Sequence, residues 1–327
     1  MNTQLEHKVE GTGNKLSTTV MDFILKYNTL IIFAILLIIS SFLSSSFFTE
    51  TNIFNLLRQL SGLAIISLGM LLVILTGGID LSVGSTLALG CVLSAYLLQT
   101  MSLPLALICT VISCILLGAG SGYLVARRNI APFVVTLALM TIARGIAFMV
   151  SKGTPIVTEN AFILSLGAGS FLRIPYLVWL TLFIFLIIAF VLKYTTFGRM
   201  IKAVGSNEDA VRLSGINVSR YKFMVYTISG GLGAIAGIIS TSRTGVGSPV
   251  VGTAIELDAI AAVVIGGASL SGGRGTALNT LVGVLILGMI GNIMNLMNVP
   301  AYPQQVIKGI IIILAVLLQG IQSKRSN

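Results

Sequence analysis

Charge is the first scarcity in this chain. Its 327 residues include only 20 lysines and arginines, 10 aspartates and glutamates and one histidine, against 55% hydrophobic residues. A soluble chain of this length would need far more polar surface. The single histidine, His7, lies in a polar N-terminal stretch, so the apolar body has no Ser–His pair and no histidine-bearing metal site. The three cysteines, Cys91, Cys109 and Cys114, all fall inside apolar runs and read as small core hydrophobes, with no disulfide or metal spacing. No G-x-x-x-x-G-K-[ST] stretch is present to cradle a phosphate. An intramembrane aspartyl protease needs two facing aspartates, but Asp80 and Asp258 sit at the ends of apolar runs in Gly-rich settings. The composition therefore argues against an enzyme. The net charge of +10 has no soluble domain to carry it, which argues against nucleic acid.

What the chain does have is long apolar runs. "LIIFAILLIISSFL" (30–43) and "WLTLFIFLIIAFVL" (179–192) approach the ~20 residues that a bilayer core demands. About ten spans are expected, near 29–47, 56–76, 81–99, 103–126, 132–150, 176–193, 223–242, 256–268, 277–297 and 304–320; two are short or Gly-interrupted, so eight or nine full crossings also fit. The expectation is an all-α polytopic protein of the bacterial cytoplasmic (inner) membrane, in which 35 glycines let helices approach closely. With the N-terminus inside, 14 of the 20 basic residues are cytoplasmic and only Lys152, Arg173 and Arg243 are outside, while Arg58, Arg144 and Lys308 fall within or at the edges of spans. That bias puts both termini in the cytoplasm. The expected layout is a polar cytoplasmic tail over 1–28, a transmembrane domain over 29–320 and a cytoplasmic tail over 321–327. Within it, 151–175 forms an extracytoplasmic loop and 194–222 a cytoplasmic one. The N-terminal stretch lacks the layout of a cleaved signal peptide and reads as a retained tail.

A pattern G-G-x-x-L-S-x-G occurs twice, on Gly77, Gly78, Leu81, Ser82 and Gly84 and on Gly266, Gly267, Leu270, Ser271 and Gly273. Both copies follow even-numbered spans, as in transporter halves related by pseudosymmetry and broken helices. Asp80 reads as the N-cap of the next span or as a ligand for a cation or a polar solute at a broken helix, with Ser82 beside it. Glu256 and Asp258 carry the same two readings at a helix start. Arg144 lies within a span, where a charge is expensive; a carboxylate partner and a place on the solute path both remain open. Lys308 is expected to snorkel to the outer interface. Asn292 and Asn295 share a helix face near Asn298, Gln304 and Gln305; they read as helix–helix glue first and as path lining second.

The densest charge lies in "GRMIKAVGSNEDAVRLSGINVSRYK" (198–222), which holds seven charged residues. Ser206 or Asn207 suits an N-cap, with Glu208 and Asp209 in the first turn and Asp209 placed for a capping box. Gly215 stands where a left-handed residue closes a helix. A two-turn helix over 207–214 is predicted, whose Ala210, Val211, Leu213 and Ile216 need a partner surface. Docking into a groove of another protein accounts for both caps better than a solvated loop does.

These stretches, with "LTGGIDLSVGS" and "ELDAIAAVVIGGASLSGGRGT", resemble the permease subunits of bacterial ribose, galactose, arabinose and xylose ABC importers, the inner-membrane component of binding-protein-dependent transport systems. The likeness runs from about residue 50 to 320. It implies a permease paired with a second copy or a paralogue, a periplasmic or lipoprotein sugar-binding protein outside, and a cytoplasmic ATPase that holds the ATP and magnesium while this chain binds no cofactor. It also implies that 199–220 is the element coupled to the ATPase, through Arg199, Lys202, Gly205, Asn207, Glu208, Ala210, Arg212 and Gly215. Relatives of such permeases import autoinducer-2 or nucleosides; a proton- or sodium-driven transporter is the rival from another class.

Overall fold

The computed structural model describes residues 28–325; the expected N-terminal tail, except its last residue Asn28, and the last two residues of the chain lie outside them. Each of the ten apolar runs is a helix. They are α1 (Asn28–Leu43), α2 (Glu50–Leu75), α3 (Val83–Leu97), α4 (Leu103–Arg128), α5 (Pro132–Ser151), α7 (Tyr176–Tyr194), α10 (Val218–Thr244), α11 (Ile255–Ile265), α12 (Ala277–Leu296) and α13 (Ala301–Arg325). Three further helices are α6 (Ala161–Ala168), α8 (Thr196–Ser206) and α9 (Glu208–Leu213). Among the described residues six helices are long and apolar enough to cross a membrane, namely α2, α4, α5, α7, α10 and α12. The third run is a 15-residue helix and the eighth only an 11-residue one, because each is preceded by non-helical backbone inside the bundle.

The bundle has an inside and an outside. Over their most apolar windows α2 and α10 are 78% and 72% buried, whereas α4, α5 and α7 are 22–28% buried. α10 is the axis, packing on α4, α3 and α2. Its sequence explains why: "SGGLGAIAGIIS" is two-thirds glycine, alanine and serine, so neighbouring backbones close on it. A Cβ on Gly118 of α4 would sit 3.0 Å from Cα of Gly230 on α10. The lipid-exposed faces of α4 and α7, by contrast, carry large residues such as Ile112, Leu116, Phe183 and Phe190.

The 151–175 connection is more structured than a loop. Strand β1 (Ile156–Val157) pairs antiparallel with β4 (Val246–Gly247), and β2 (Ser170–Phe171) with β3 (Ile174–Pro175). α6 packs on α10, brought close by Gly167, whose Cβ would overlap the Ser242 carbonyl.

Glycine at the α4–α10 crossing is testable against a neighbour that faces only a side chain. Gly118→Leu should cost roughly 1–3 kcal/mol or more through overpacking, seen as loss of monodisperse protein in detergent, while Gly120→Ala, 3.8 Å from Leu139 Cδ1, should be recovered normally.

Candidate functional site

Two helix breaks meet at one end of the bundle. α2 closes with Thr76 as C-cap and Gly77 at φ 78°. Gly77 N donates to Ile74 O (2.9 Å) and Gly78 N to Val73 O (3.2 Å). α11 closes in the same way: Gly267 has φ 80°, its N donates to Val264 O (2.8 Å), and Ala268 N donates to Val263 O (3.1 Å). Both are Schellman closures that satisfy the carbonyls a helix end leaves open. The geometry corrects the register read from the repeat. Gly77 matches Gly267 rather than Gly266, which is the C-cap itself, because the left-handed residue, not the first glycine, defines the motif. After the closures the copies diverge: α3 starts at Val83, one residue past Ser82, while α12 waits until Ala277.

The breaks are joined to each other. Gly273 N donates to Leu75 O (3.0 Å), the last carbonyl of α2. The end of α8 wedges between them: a Cβ on Gly205 would overlap Leu75 O and the Gly273 amide. Ser206 is not the N-cap of α9; its Oγ donates to Lys202 O (3.0 Å). Asn207 caps instead, with Oδ1 accepting from Ala210 N (2.9 Å), and the expected capping box with Asp209 does not form. Gly215, at φ 79°, closes α9 by a third Schellman motif: Gly215 N donates to Arg212 O (3.0 Å) and Ile216 N to Val211 O (3.4 Å).

The hairpin 196–222 is thus held from three sides. Val204, Val211 and Val218 form a small core of their own, with Ala203 and Ile216 against it. Glu208 accepts from Arg212 Nη2 at 2.6 Å and from Lys222 Nζ on α10. Partial burial pushes the Glu208 carboxyl upward, but the Lys222 ammonium and the Arg212 guanidinium outweigh it and leave the group below its ordinary value. Lys202 Nζ reaches Leu192 O (3.5 Å), and Arg199 is exposed. Of the four apolar residues expected to seek a partner, Val211 and Ile216 find it within the hairpin. Ala210 and Leu213 do not, and Leu213 stands 88% exposed.

A cavity of about 350 Å³ opens near the opposite ends of the same helices. On α2 it is lined by Leu56 to Leu63, roughly 20 Å from the break at Leu75 at 1.5 Å per residue. Asp258, Asn292 and Asn295 line it, as do Gln304 and Lys308. Lys308, expected to reach an interface, finds a carboxylate: its Nζ donates to Asp258 Oδ2 at 3.1 Å. Asn292 and Asn52 exchange amide hydrogen bonds of 2.8 and 3.0 Å, and Gln304 Nε2 donates to Asn295 Oδ1 (2.8 Å). These amides are helix glue and cavity wall at once. Arg58, Gln59, Ser240 and Arg243 also line the cavity, and sequence reasoning missed them as lining; their positions near span ends were the only signal.

Gly77, Gly78, Asp80, Ser82, Arg144, Glu256, Gly266 and Gly267 do not line this cavity. Asp80 is 2% exposed. It is not the N-cap, a position that falls to Ser82, but its carboxylate does accept a backbone amide: Oδ1 takes Ser82 N (3.0 Å) and Ser82 Oγ (2.6 Å), and Oδ2 takes Ser229 Oγ on α10 (2.9 Å). Among the described residues Arg144 pairs directly with no carboxylate. Its Nη1 donates to the carbonyls of Pro249 (2.6 Å) and Val251 (2.8 Å). Those belong to a non-helical stretch running back along α3, with Gly247 beside Ala95 and Gly252 beside Gly84. Val251, Gly252 and Thr253 in turn form cavity wall, so Arg144 acts on the cavity through the backbone it holds. Glu256 points toward Gly84 and lies within reach of the Arg144 charge.

The family described as branched-chain amino acid transport system / permease component matches residues 52–316. The chain is 44% identical to the ribose import permease protein RbsC of Haemophilus influenzae, over 90% of this chain and 93% of that protein. It is 47% identical to RbsC of Bacillus subtilis over 87% and 89%, and 36% identical to the L-arabinose transport system permease protein AraH of Escherichia coli over 91% and 92%. No solved structure matches.

Arg144→Gln removes two charge-assisted hydrogen bonds, about 1.5–3 kcal/mol. We expect a lower yield of folded protein and an apparent unfolding temperature lower by on the order of 5 °C; unchanged stability with an altered transport rate would instead place the side chain on the solute path. The Glu208 clamp has a defined pH window. A carboxyl held below its ordinary value of 4.5 contributes its full stabilisation above that value and loses it as pH falls through the depressed one. Hydrogen exchange over 207–215, corrected for intrinsic rates, should be faster in Glu208→Gln than in the wild type at neutral pH, and the two should converge on acidification.

Proposed function

This chain belongs to that permease family and is a multi-pass protein of the inner membrane, and on that premise we propose that it is the membrane subunit of an ATP-binding-cassette importer for a monosaccharide of the pentose or hexose class. The cargo reading rests on relatives whose names specify ribose and L-arabinose and which cover about nine tenths of the chain. They are a nearer guide than the family's broad description. A cavity walled by amides, two hydroxyls and an ion pair suits a polyhydroxylated solute.

The observation that carries the mechanism is the 196–222 hairpin. A loop that merely connects α7 to α10 has no use for two caps, a private core and a double ion pair. Built this way it is a stiff lever with an unpartnered leucine at its tip. Docked in the cleft of an ATPase subunit outside this chain, it is pushed when ATP closes that subunit. Gly205 passes the displacement to the joined breaks below α2 and α11, and the Glu208–Lys222 pair passes it to the base of α10. Those helices form walls of the cavity at their far ends, so a rigid shift at the lever opens or closes it. This end is then cytoplasmic, the cavity faces an external binding protein, and a second permease copy completes the path. An ion-coupled carrier would place an unpaired carboxylate on the path, whereas Asp80 has all its contacts within the fold and Asp258, in the cavity wall, is already paired with Lys308. No observation favours autoinducer-2 or a nucleoside as cargo.

Two substitutions test the lever in a reconstituted importer. Leu213→Asp removes the exposed anchor, about 1.5–3 kcal/mol of burial, and Gly215→Val forces a β-branched residue into a left-handed backbone at roughly 1–2 kcal/mol. Both should insert normally yet lose about tenfold or more in ATPase association and uptake; full transport by both would refute the coupling role.

A further inference from the structure

We propose that the groove between the end of α4 and the start of α10 is a binding site for one anionic phospholipid. The groove has a volume of about 610 Å³ and is lined by Tyr123, Arg127, Asn217, Arg220, Phe223 and Met224. It lies at the lever end of the bundle, where the hairpin joins α10, and the transport reading gives neither Arg127 nor Arg220 a contact.

Three observations point to the same ligand. The first is unneutralised charge. Among the described residues neither Arg127 nor Arg220 has a carboxylate partner, and Arg128 lies 5.6 Å over the Tyr123 ring instead. The nearby acid, Glu208, already takes Arg212 and Lys222. The second is position. Arg220 stands in the first turn of α10, the positive end of that helix, where a cation is disfavoured unless an anion joins it. Lys222, one turn in, has Glu208 as its anion; Arg220 has none.

The third is the path into the groove. Leu105, Ile108, Ile112, Leu116 and Tyr123 form one exposed stripe along α4 at helical spacing. Arg127 continues that stripe one turn beyond Tyr123 and is itself exposed. A stripe of aliphatic side chains that passes an aromatic and ends in guanidinium groups matches an acyl chain, a glycerol region and a phosphate in that order. A free phosphate would use the arginines but leave the stripe unexplained. An acidic segment of a partner protein would do the same.

The site has a consequence for the lever. Asn217 Oδ1 accepts from Arg220 N (3.1 Å) at the turn joining the hairpin to α10. A phosphate between Arg127 and Arg220 would tie the base of α10 to the end of α4 and stiffen the hinge on which the hairpin turns.

The test is native mass spectrometry of the purified full-length chain in detergent, titrated with phosphatidylglycerol or phosphatidylcholine, with unfolding temperature measured in parallel. We expect one phosphatidylglycerol retained per chain in preference to phosphatidylcholine, weakened about thirtyfold in Arg127→Gln/Arg220→Gln at roughly a fivefold loss per arginine, and retained in Arg127→Lys/Arg220→Lys. The glutamine variant should unfold at the wild-type temperature in phosphatidylcholine, so that loss of binding is not loss of fold. Equal retention of the two lipids, or a phosphatidylglycerol preference untouched by the glutamine pair, overturns the site. So does displacement of the lipid by inorganic phosphate at millimolar concentration, which would make the groove an anion site alone. Loss of a second copy or of an ATPase subunit from the glutamine variant, with lipid retention unchanged, would assign the groove to that partner instead.

Discussion

The structure depends on one constraint: a polypeptide that leaves its helices inside an apolar bundle must still satisfy every backbone amide and carbonyl. This chain does so at three places. The ends of α2 and α11 fold their own open carbonyls into Schellman closures. The amide of Gly273 then serves Leu75 of the other break, which fastens two distant parts of the sequence together. The stretch before α11 cannot close on itself, and Arg144 supplies donors to Pro249 and Val251 from a neighbouring helix. A charge within a span is expensive, and here the expense is met by two carbonyls that would otherwise lie unsatisfied.

From that constraint follows the mechanical layout. Broken helices are places where a rigid bundle can shift, and the breaks are gathered at one end with Gly205 against them. The hairpin carrying Gly205 is stiffened by its own valine core and its clamp to α10. The cavity sits at the far end of α2, α10 and α12. On the proposed coupling role, force and solute are separated by the length of the helices, whose α2 and α10 portions between them are largely buried. Such packing has discrete arrangements rather than a continuum, as alternating access requires.

Much of this was legible in the sequence. All ten apolar runs are helices, because length and hydropathy are strong signals where water is absent. The α9 helix could be read from Asn207 and Gly215, since caps are local chemistry. What failed was non-local or backbone-borne. The Asp258–Lys308 pair joins residues 50 apart that share no periodicity. The partners of Arg144 are carbonyls, which every residue carries and no pattern marks. The offset between Gly77 and Gly267 escaped because two adjacent glycines both fit a left-handed position, and only the hydrogen bonds say which one takes it. The stretch before α11, "GVGSPVVGTA" (245–254), was legible as a connection from its glycines and proline; that it packs back along α3 was not. Leu213 could be listed as apolar, but whether it turned inward like Val211 or outward depended on the valines of α8 and α10.

The central claim is that work reaches this permease as a push on the hairpin and not as an ion moving through the bundle. Uptake by proteoliposomes containing the chain and its binding protein, with and without an ATP-hydrolysing partner and with imposed proton and sodium gradients, tests that most directly. The account predicts accumulation only when the partner and ATP are present, at a rate indifferent to either gradient. Concentration of solute by the chain under an ion gradient, with no hydrolysing partner in the vesicle, would contradict it.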